Sequence, residues 1–304
     1  SNWDFSNVKS MMYMFRYCSS LATLDVSNWD VSNVTSMSYM FYGCSLLATL
    51  NVSNWDVSNV TTMNNMFQNC SSLTTLDVSN WNVSNVSDMN GMFANCSSLT
   101  TLDVSTWNVS NVTIMGGVFS SCSSLETLDV NNWNVSNVTN MGGMFQNCSS
   151  LTTLDVSNWN VSNVTNMGGM FWNTPLDTTS YDALLIGWGQ LPSLKSNVQL
   201  HANLAKYSSG AAATARGILT SAPNYWTIND AGQTDAFTFT IDTTLGTGDS
   251  FLLPLREGYN YDMLVDWGDG QTSEITSWDD VEKNHTYSTG GEYQISITGL
   301  CEAW

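Results

Sequence analysis

The sequence predicts an α/β solenoid with one strand and one short helix in each 26-residue turn, followed by a small β-sandwich. Three observations predict this fold class. Aromatic and cysteine residues recur every 26 residues, and the apolar pattern inside each period changes from alternation to spacings of three and four. The C-terminal segment contains short strand-like runs separated by turn residues. We expect three regions, namely a solenoid at 1–176, an irregular cap at 177–230 and a sandwich at 235–304.

Two residue types mark the repeat most clearly. Tryptophan recurs at Trp3, Trp29, Trp55, Trp81, Trp107, Trp133 and Trp159. Cysteine keeps the same interval at Cys18, Cys44, Cys70, Cys96, Cys122 and Cys148. One unit cannot bury its apolar face alone, whereas stacked units share a continuous core. We therefore predict that both series form structural ladders inside a stack of repeats.

Each unit carries two apolar patterns. Leu50 and Val52 alternate with polar residues, which predicts a strand. Met63, Met66 and Phe67 follow at spacings of three and one, within a longer series at spacings of three and four. That series predicts a short helix that closes the unit.

Polar side chains lie between the inward residues of the predicted strands, on the concave face. They are Thr49, Thr75, Thr101, Asp25, Asn51, Asp77, Asp103, Asp129 and Asp155. Carboxylates stacked about 5 Å apart repel by about 1 kcal/mol per neighbour in water. One interpretation is a polar ladder in which nearby Ser and Thr hydroxyls offset this repulsion, and the other is a face that binds a ligand or calcium. Identical repeats give identical environments, so a catalytic pair of carboxylates is not expected.

The cysteine series has three interpretations. A stack of small buried residues is the simplest, and disulfides between adjacent turns are the second. Metal binding is disfavoured, because the series has no C-x-x-C motif and no nearby histidine. The sequence Asn33-Val34-Thr35 and its copies are glycosylation sequons. Their recurrence also fits a role in capping and turns.

The apolar order resembles that of leucine-rich repeats, with Trp where that family usually has Asn or Cys. Some other group must then make the backbone hydrogen bond that the Asn makes there. The phrase close to L-D-V-S-N-W-x-V-S-N-V-T-x-M-x-x-M-F-x-x-C, which begins at Leu76, Leu102 and Leu154, more closely resembles the repeat of BspA-like bacterial surface proteins. This resemblance covers about 1–176 and implies a cell-surface or secreted protein that acts in adhesion.

The repeat pattern ends near Thr174 and Pro175. We predict helices at 181–188 and 211–220 and strands at 198–201 and 225–228. This segment is similar to the one that often closes BspA-like arrays. We interpret it as a cap that shields the last apolar face.

Five strand-like runs follow, at 237–241, 250–255, 263–267, 274–275 and 292–297. The phrases Val265-Asp266-Trp267-Gly268-Asp269-Gly270, His285-Thr286-Tyr287 and Gly291-Glu292-Tyr293 resemble a polycystic-kidney-disease (PKD) domain, which is an Ig-like sandwich. The resemblance implies a spacer or adhesive module. We predict that Asp266 and Asp269 stabilise a turn, with a weak alternative as calcium ligands.

Composition limits the function. The formal net charge is -19, and no Lys or Arg occurs between Arg16 and Lys195, which disfavours binding to nucleic acid and to anionic membranes. No membrane span is expected in this segment, because no run of about 20 apolar residues occurs. We expect no enzymatic activity and no cofactor, although calcium is possible.

Two functions fit these observations, in an extracellular or bacterial cell-surface protein. The first is adhesion, with a protein or glycan on another cell or matrix as the partner. The second is a structural protomer of a filament or sheath, in which copies pack end to end. Because the sequence begins inside a repeat, we also expect a fragment or one module of a longer tandem protein.

Overall fold

The computed structural model describes residues 5–234, 237–245 and 250–301. The chain consists of two compact units. The first is Ser1–Ala205 with Ile218–Ala231, and the second is Lys206–Gly217 with Gly232–Trp304. Trp3 of the tryptophan series lies outside the described residues, as do the first residue of the predicted solenoid and both ends of the predicted sandwich.

The repeats of the first unit pair with one another at an offset of 26 residues. One series of parallel bridges joins Ser10, Ser36, Thr62, Asp88, Ile114, Asn140 and Asn166 in order. Beside it, the backbone N–H of Thr61 donates to the carbonyl of Thr35 at 2.9 Å. Consecutive repeats therefore form coils that stack in register.

The strand expected at the start of each repeat is reduced to isolated bridges in the described residues, such as Thr49 with Thr75 and Thr101 with Thr127. A local side-chain hydrogen bond explains why pairing stops there. Asn51 accepts hydrogen bonds from the backbone N–H and the hydroxyl of Ser53 at 3.3 and 2.9 Å. Such side-chain-to-backbone bonds turn the chain and compete with a strand ladder.

The prediction of a helix at the end of each repeat is wrong. Residues in this part form successive turns, and their backbone N–H groups alternate between two kinds of acceptor. The N–H groups of Met63 and Asn65 donate to Asp88 and Asn90 of the next repeat, at 3.0 and 2.8 Å, while that of Met66 closes a turn on Met63 at 3.2 Å. In an α-helix every one of these groups would bond within its own segment.

Left-handed residues at intervals of four cause this alternation. Asn65 and Asn69 have φ of 56° and 63°, and in the next repeat Gly91 and Asn95 both have φ of 61°. Glycine and asparagine adopt this conformation most readily. A turn that recurs every four residues therefore reproduces the apolar spacing of a helix without forming one.

The repeats are followed by α1 (Thr178–Gly189), β1 (Gln199–Ala202), α2 (Ala211–Thr220) and β2 (Thr227–Asp230). Helix α1 begins after Asp177, whose side chain caps it by accepting from the N–H of Ser180 at 2.8 Å. Strands β1 and β2 pair in parallel. A Cβ added at Gly187 would collide with the carbonyl of Ser157, so α1 packs closely against the last repeat. Of the helices that the structure describes, none has the length and apolar character of a membrane span.

The second unit contains the strands β3 (Phe237–Asp242), β4 (Ser250–Leu252), β5 (Tyr261–Asp266), β6 (Thr272–Ile275), β7 (Asn284–Thr286) and β8 (Glu292–Cys301). Four of them form an antiparallel sheet in the order β3-β8-β5-β6, and β4 pairs with β7. Val265, Trp267 and Ile295 belong to one buried apolar cluster, against which Phe251 of β4 also packs. Strand β7 lies outside the five strand-like runs expected from the sequence.

Candidate binding faces

The tryptophan series holds neighbouring repeats together. From Trp55 to Trp159, each indole N–H donates to a valine carbonyl of the preceding repeat, as Trp107 Nε1 does to Val78 at 3.1 Å. The rings of Trp81 and Trp107 stack with centroids 6.5 Å apart and planes within 2°. The indole itself therefore makes a backbone bond of the kind that Asn makes in leucine-rich repeats. Trp188 of α1 continues the series by donating to Val156 at 3.0 Å.

The cysteine series is a second set of contacts between repeats. The thiol of Cys96 donates to the carbonyl of Phe67 at 3.2 Å, and the same bond recurs from Cys44 to Cys148. Burial raises the pKa of Cys44 to about 11 and that of Cys148 to about 12. Within the part of the chain that the structure describes, the cysteines of this series, from Cys18 to Cys148, form no disulfide. Where the next cysteine would fall, the hydroxyl of Thr174 donates to Phe145 instead.

The sequon residues also bond across repeats. The side-chain amide of Asn59 donates to the carbonyl of Ser32 at 2.7 Å, and the hydroxyl of Thr61 donates to Thr35 at 3.1 Å. Equivalent bonds recur at Asn85, Asn111, Asn137 and Asn163. The Asn and Thr of this motif therefore connect one coil to the next.

The predicted columns of Thr and Asp lie together on one exposed face, which we call the Thr–Asp face. Two grooves run along it. The first has a volume of about 450 Å³, and its lining includes Thr49, Asn51, Thr75, Asp77, Thr101 and Asp103. The second, of about 410 Å³, includes Asp129 and Asp155. Asp25 is exposed and does not line either groove.

Each carboxylate on this face is fixed by a serine or asparagine two residues later. Asp77 Oδ1 accepts from the N–H and the hydroxyl of Ser79 at 3.2 and 2.7 Å. Asp103 accepts the same pair of bonds from Ser105, and the hydroxyl bond is the main reason that the pKa of Asp103 is lowered. One carboxylate oxygen therefore holds the turn while the other faces solvent. The floor of the first groove adds apolar contact through Leu50 and Leu76.

A third groove, not predicted from the sequence, lies over the turns at the end of the repeats. We call it the Asn–Gly groove. It has a volume of about 470 Å³ and is lined by Asn65, Gln68, Asn90, Gly91, Ala94, Asn95, Gly116, Gly117, Ser120, Asn140, Gly142, Gly143, Gln146, Asn166 and Gly168. None of these lining residues is charged. The available sequence signal was the paired glycines at 116–117, 142–143 and 168–169, which do not suit a helix.

In the second unit, the two candidate calcium ligands contact protein groups. Asp266 accepts from the N–H of Gly268 at 2.9 Å, whereas Asp269 accepts from Gln271 and contacts His285 Nε2 at 2.9 Å. Burial acts to raise the pKa of Asp269, but the hydrogen bonds from His285 and Gln271 outweigh it and lower the pKa. Across the described residues, no group of three His, Cys, Asp or Glu side chains is arranged as metal ligands would be.

Coils of 26 residues with the same ladders at successive junctions define a tandem-repeat protein. The chain belongs to the family described as "Mycoplasma protein of unknown function, DUF285", which it matches over residues 1–101 and 100–188. No curated protein matches the chain. The family match covers the repeats and α1, and the resemblance of the C-terminal segment to a PKD domain stays a prediction.

Proposed function

We propose that this chain is a non-enzymatic extracellular or cell-surface protein that binds a partner on another cell or on matrix through the Thr–Asp face. Its repeats act as a BspA-like leucine-rich scaffold, and its C-terminal unit acts as a PKD-like spacer. The observation that carries the proposal is the arrangement of the exposed Thr and Asp columns over two neighbouring grooves. Repeat arrays commonly use such extended surfaces to bind other macromolecules.

The chemistry of the face suits recognition. Asp77 and Asp103 each present a carboxylate that a neighbouring Ser holds in place, so little side-chain entropy is lost when a partner binds. Threonine hydroxyls beside them can donate or accept hydrogen bonds. The regular repeat multiplies this set of groups along the grooves. A partner with basic or amide groups at a matching interval would contact several repeats at once.

The alternative function, a filament protomer whose copies pack end to end, has less support from the packing of α1. Trp188 makes the bond that a tryptophan of a further repeat would make. Gly187 allows α1 to lie directly on the last repeat. A second copy would have to displace this helix before it could continue the stack at that end.

The experiment measures attachment of the labelled protein to epithelial-cell monolayers and to immobilised matrix proteins. The test variant combines Asp77→Asn and Asp103→Asn, since Asn51 already occupies this position of the repeat and makes the same turn. The matched control combines Asp30→Asn and Asp56→Asn, which removes two charges from the second Asx turn of the repeats.

We expect the test variant to bind at least tenfold more weakly and the control to bind as the wild type does. Equal loss in both variants would show that net charge, rather than the Thr–Asp face, determines attachment. Attachment that neither variant reduces, or its absence from all tested surfaces, would refute the proposal.

A further inference from the structure

The Asn–Gly groove has a distinct composition along its length. One residue of each repeat forms a column across it, and the column reads Tyr42, Gln68, Ala94, Ser120, Gln146 and Trp172. Ala94 and Ser120 line the middle of the groove, while Trp172 is 38% exposed beyond Gln146. Short residues therefore make a depression, and aromatic rings stand beyond both of its ends. From Gln68 to Gln146 the column covers three coil spacings, about 14 Å at the usual strand separation.

Glycines make room in the groove for amide side chains. A Cβ added at Gly116 would lie 2.9 Å from Asn90 Oδ1, and one added at Gly142 would lie 2.8 Å from Asn166 Nδ2. A Cβ at Gly91 would collide with Asn65 Oδ1. The surface of the groove is consequently built from side-chain amides that lie across exposed backbone.

Several of these amides have unused hydrogen-bonding capacity. Asn65 is only 8% exposed, yet its side chain makes no hydrogen bond to any described residue while it lines the groove. Asn90 lines the same part of the groove without such a bond. By contrast, the amide of Asn166 donates to Asn140 at 3.0 Å. These amides keep free donors and acceptors at the groove surface, so Asn65 and Asn90 suit a ligand that both donates and accepts hydrogen bonds.

We propose that the Asn–Gly groove binds an uncharged oligosaccharide. Vicinal hydroxyls donate and accept hydrogen bonds, as side-chain amides do, and the absence of charge from the lining gives no preference for phosphate, sulfate or carboxylate groups. Beyond Gln146, the exposed ring of Trp172 offers a surface on which the apolar face of a sugar can pack. This site goes beyond the adhesion proposed for the Thr–Asp face, and neither proposal requires the other.

The same repeat supplies variants that keep the fold. Ala94→Gln with Ser120→Gln fills the depression with the residue that Gln68 and Gln146 show to be tolerated at this position. Asn65→Gly with Asn90→Gly removes the unpaired amides, and glycine already occupies these positions in later repeats, at Gly117 and Gly116. Asn65→Gly also keeps a residue that readily adopts positive φ.

The probe is an immobilised array of neutral oligosaccharides, with sialylated and sulfated glycans alongside, followed by calorimetry with the best neutral oligosaccharide. We expect saturable binding to neutral glycans that each double variant weakens at least tenfold. The Asp77→Asn, Asp103→Asn variant should bind the glycan as the wild type does. The groove variants should still attach to cells, because their Thr–Asp face is unchanged.

Three results would overturn the proposal. They are no binding to any neutral glycan, binding to charged glycans alone, and neutral binding that neither groove variant changes. Circular dichroism of each variant must match the wild type, so that a lost signal reports the groove rather than unfolding. A failure of adhesion with intact glycan binding would refute only the Thr–Asp face, and the reverse result would refute only the Asn–Gly groove.

Discussion

The repeat array and the C-terminal unit bury tryptophan in different ways. In the array, a buried residue such as Trp107 has the same neighbours as Trp81 and Trp133, and each bonds to the backbone of the preceding coil. In the C-terminal unit, Trp267 has a unique environment, with His285 stacked on it at 4.8 Å and Ser273 accepting from its indole.

This difference determines how each region should tolerate substitutions. The array repeats the same uncharged hydrogen bonds, from indoles and thiols to backbone carbonyls, at successive coils. The residues at equivalent positions of other repeats therefore indicate which substitutions are tolerated. The C-terminal unit contains a partly buried contact between His285 and Asp269, at 2.9 Å, that has no counterpart in the described repeats. Substitutions by residues of the equivalent position should therefore be mild in the array, whereas comparable changes near Trp267 should not.

The largest expected effect concerns the buried thiols of the array at alkaline pH. Burial holds the pKa of Cys44 at about 11 and that of Cys148 at about 12, with the three between them also raised. Because an unfolded thiol ionises near pH 8.5, this stability is complete below that pH and is lost as pH rises through the folded values. Five thiols give a loss of up to about 7 kcal/mol per pH unit.

Urea unfolding of the array, followed by amide hydrogen exchange at pH 8 to about 10.5, measures this loss. Cys96→Thr is the matched variant, because Thr174 already makes the equivalent bond. It should reduce the dependence of the unfolding free energy on pH by about one fifth, since it removes one of five buried thiols. An array whose stability does not change across this range would contradict the burial of the thiols.

The next effect separates the two tryptophan environments. Trp107→Ala should cost about 3–5 kcal/mol, because it leaves a large cavity in the core. Trp107→Phe should cost less, since it keeps much of the apolar volume and loses the bond to the Val78 carbonyl. Increased exchange at the coils around Trp81 and Trp133, with no change in β5 and β8, would show that the damage spreads along the stack.

A smaller effect is expected from the contact of Asp269 with His285. Asp269→Asn should destabilise the C-terminal sheets by roughly 1–2 kcal/mol, as loss of a hydrogen bond to a charged group does. The lowered pKa of Asp269 contributes stability above the unfolded value near 3.9, which is lost as pH falls through the folded value. Hydrogen exchange of the β5 amides at pH 7 and pH 3 measures both the destabilisation and its pH dependence. Between these two pH values, the variant should lose less stability than the wild type.

The smallest effect is expected on the Thr–Asp face. Asp77→Asn with Asp103→Asn should change the stability of the array by less than about 0.5 kcal/mol, as exposed substitutions usually do. The turn survives because an amide oxygen accepts the same bonds, as Asn51 shows. A destabilisation above about 1 kcal/mol would mean that the carboxylate charge, and not only its oxygen, holds the turn.

The sequence was informative wherever periodicity alone determined the outcome. The 26-residue interval located the tryptophan and cysteine series, and alternation around Leu50 placed Thr49 and Asn51 on an exposed face. The helix prediction failed because the apolar spacing of Met63, Met66 and Phe67 also arises from turns closed by left-handed residues. Attention to Asn65 and Asn69, or to glycine at equivalent positions, would have indicated those turns.

Other features could not be predicted because they depend on neighbouring coils. The bond from Trp107 to Val78 joins residues 29 apart, and only stacking brings them together. The Asn–Gly groove depends on side chains that are small in the middle repeats and large in the outer ones, a difference that a search for repeats removes by averaging. Strand β7 has three residues and only one buried side chain, His285, so it carries little sequence signal.

The stacked indoles also give the array an optical property. From Trp55 to Trp159 the ring centroids lie 6.3–6.5 Å apart, with planes within 3° of one another. Parallel, identical chromophores held this close couple their electronic transitions, so the ultraviolet absorption of tryptophan should be weaker in the folded array than in the unfolded chain. That signal depends on neighbouring coils being in register, and it therefore reports the assembly of the stack without any added label.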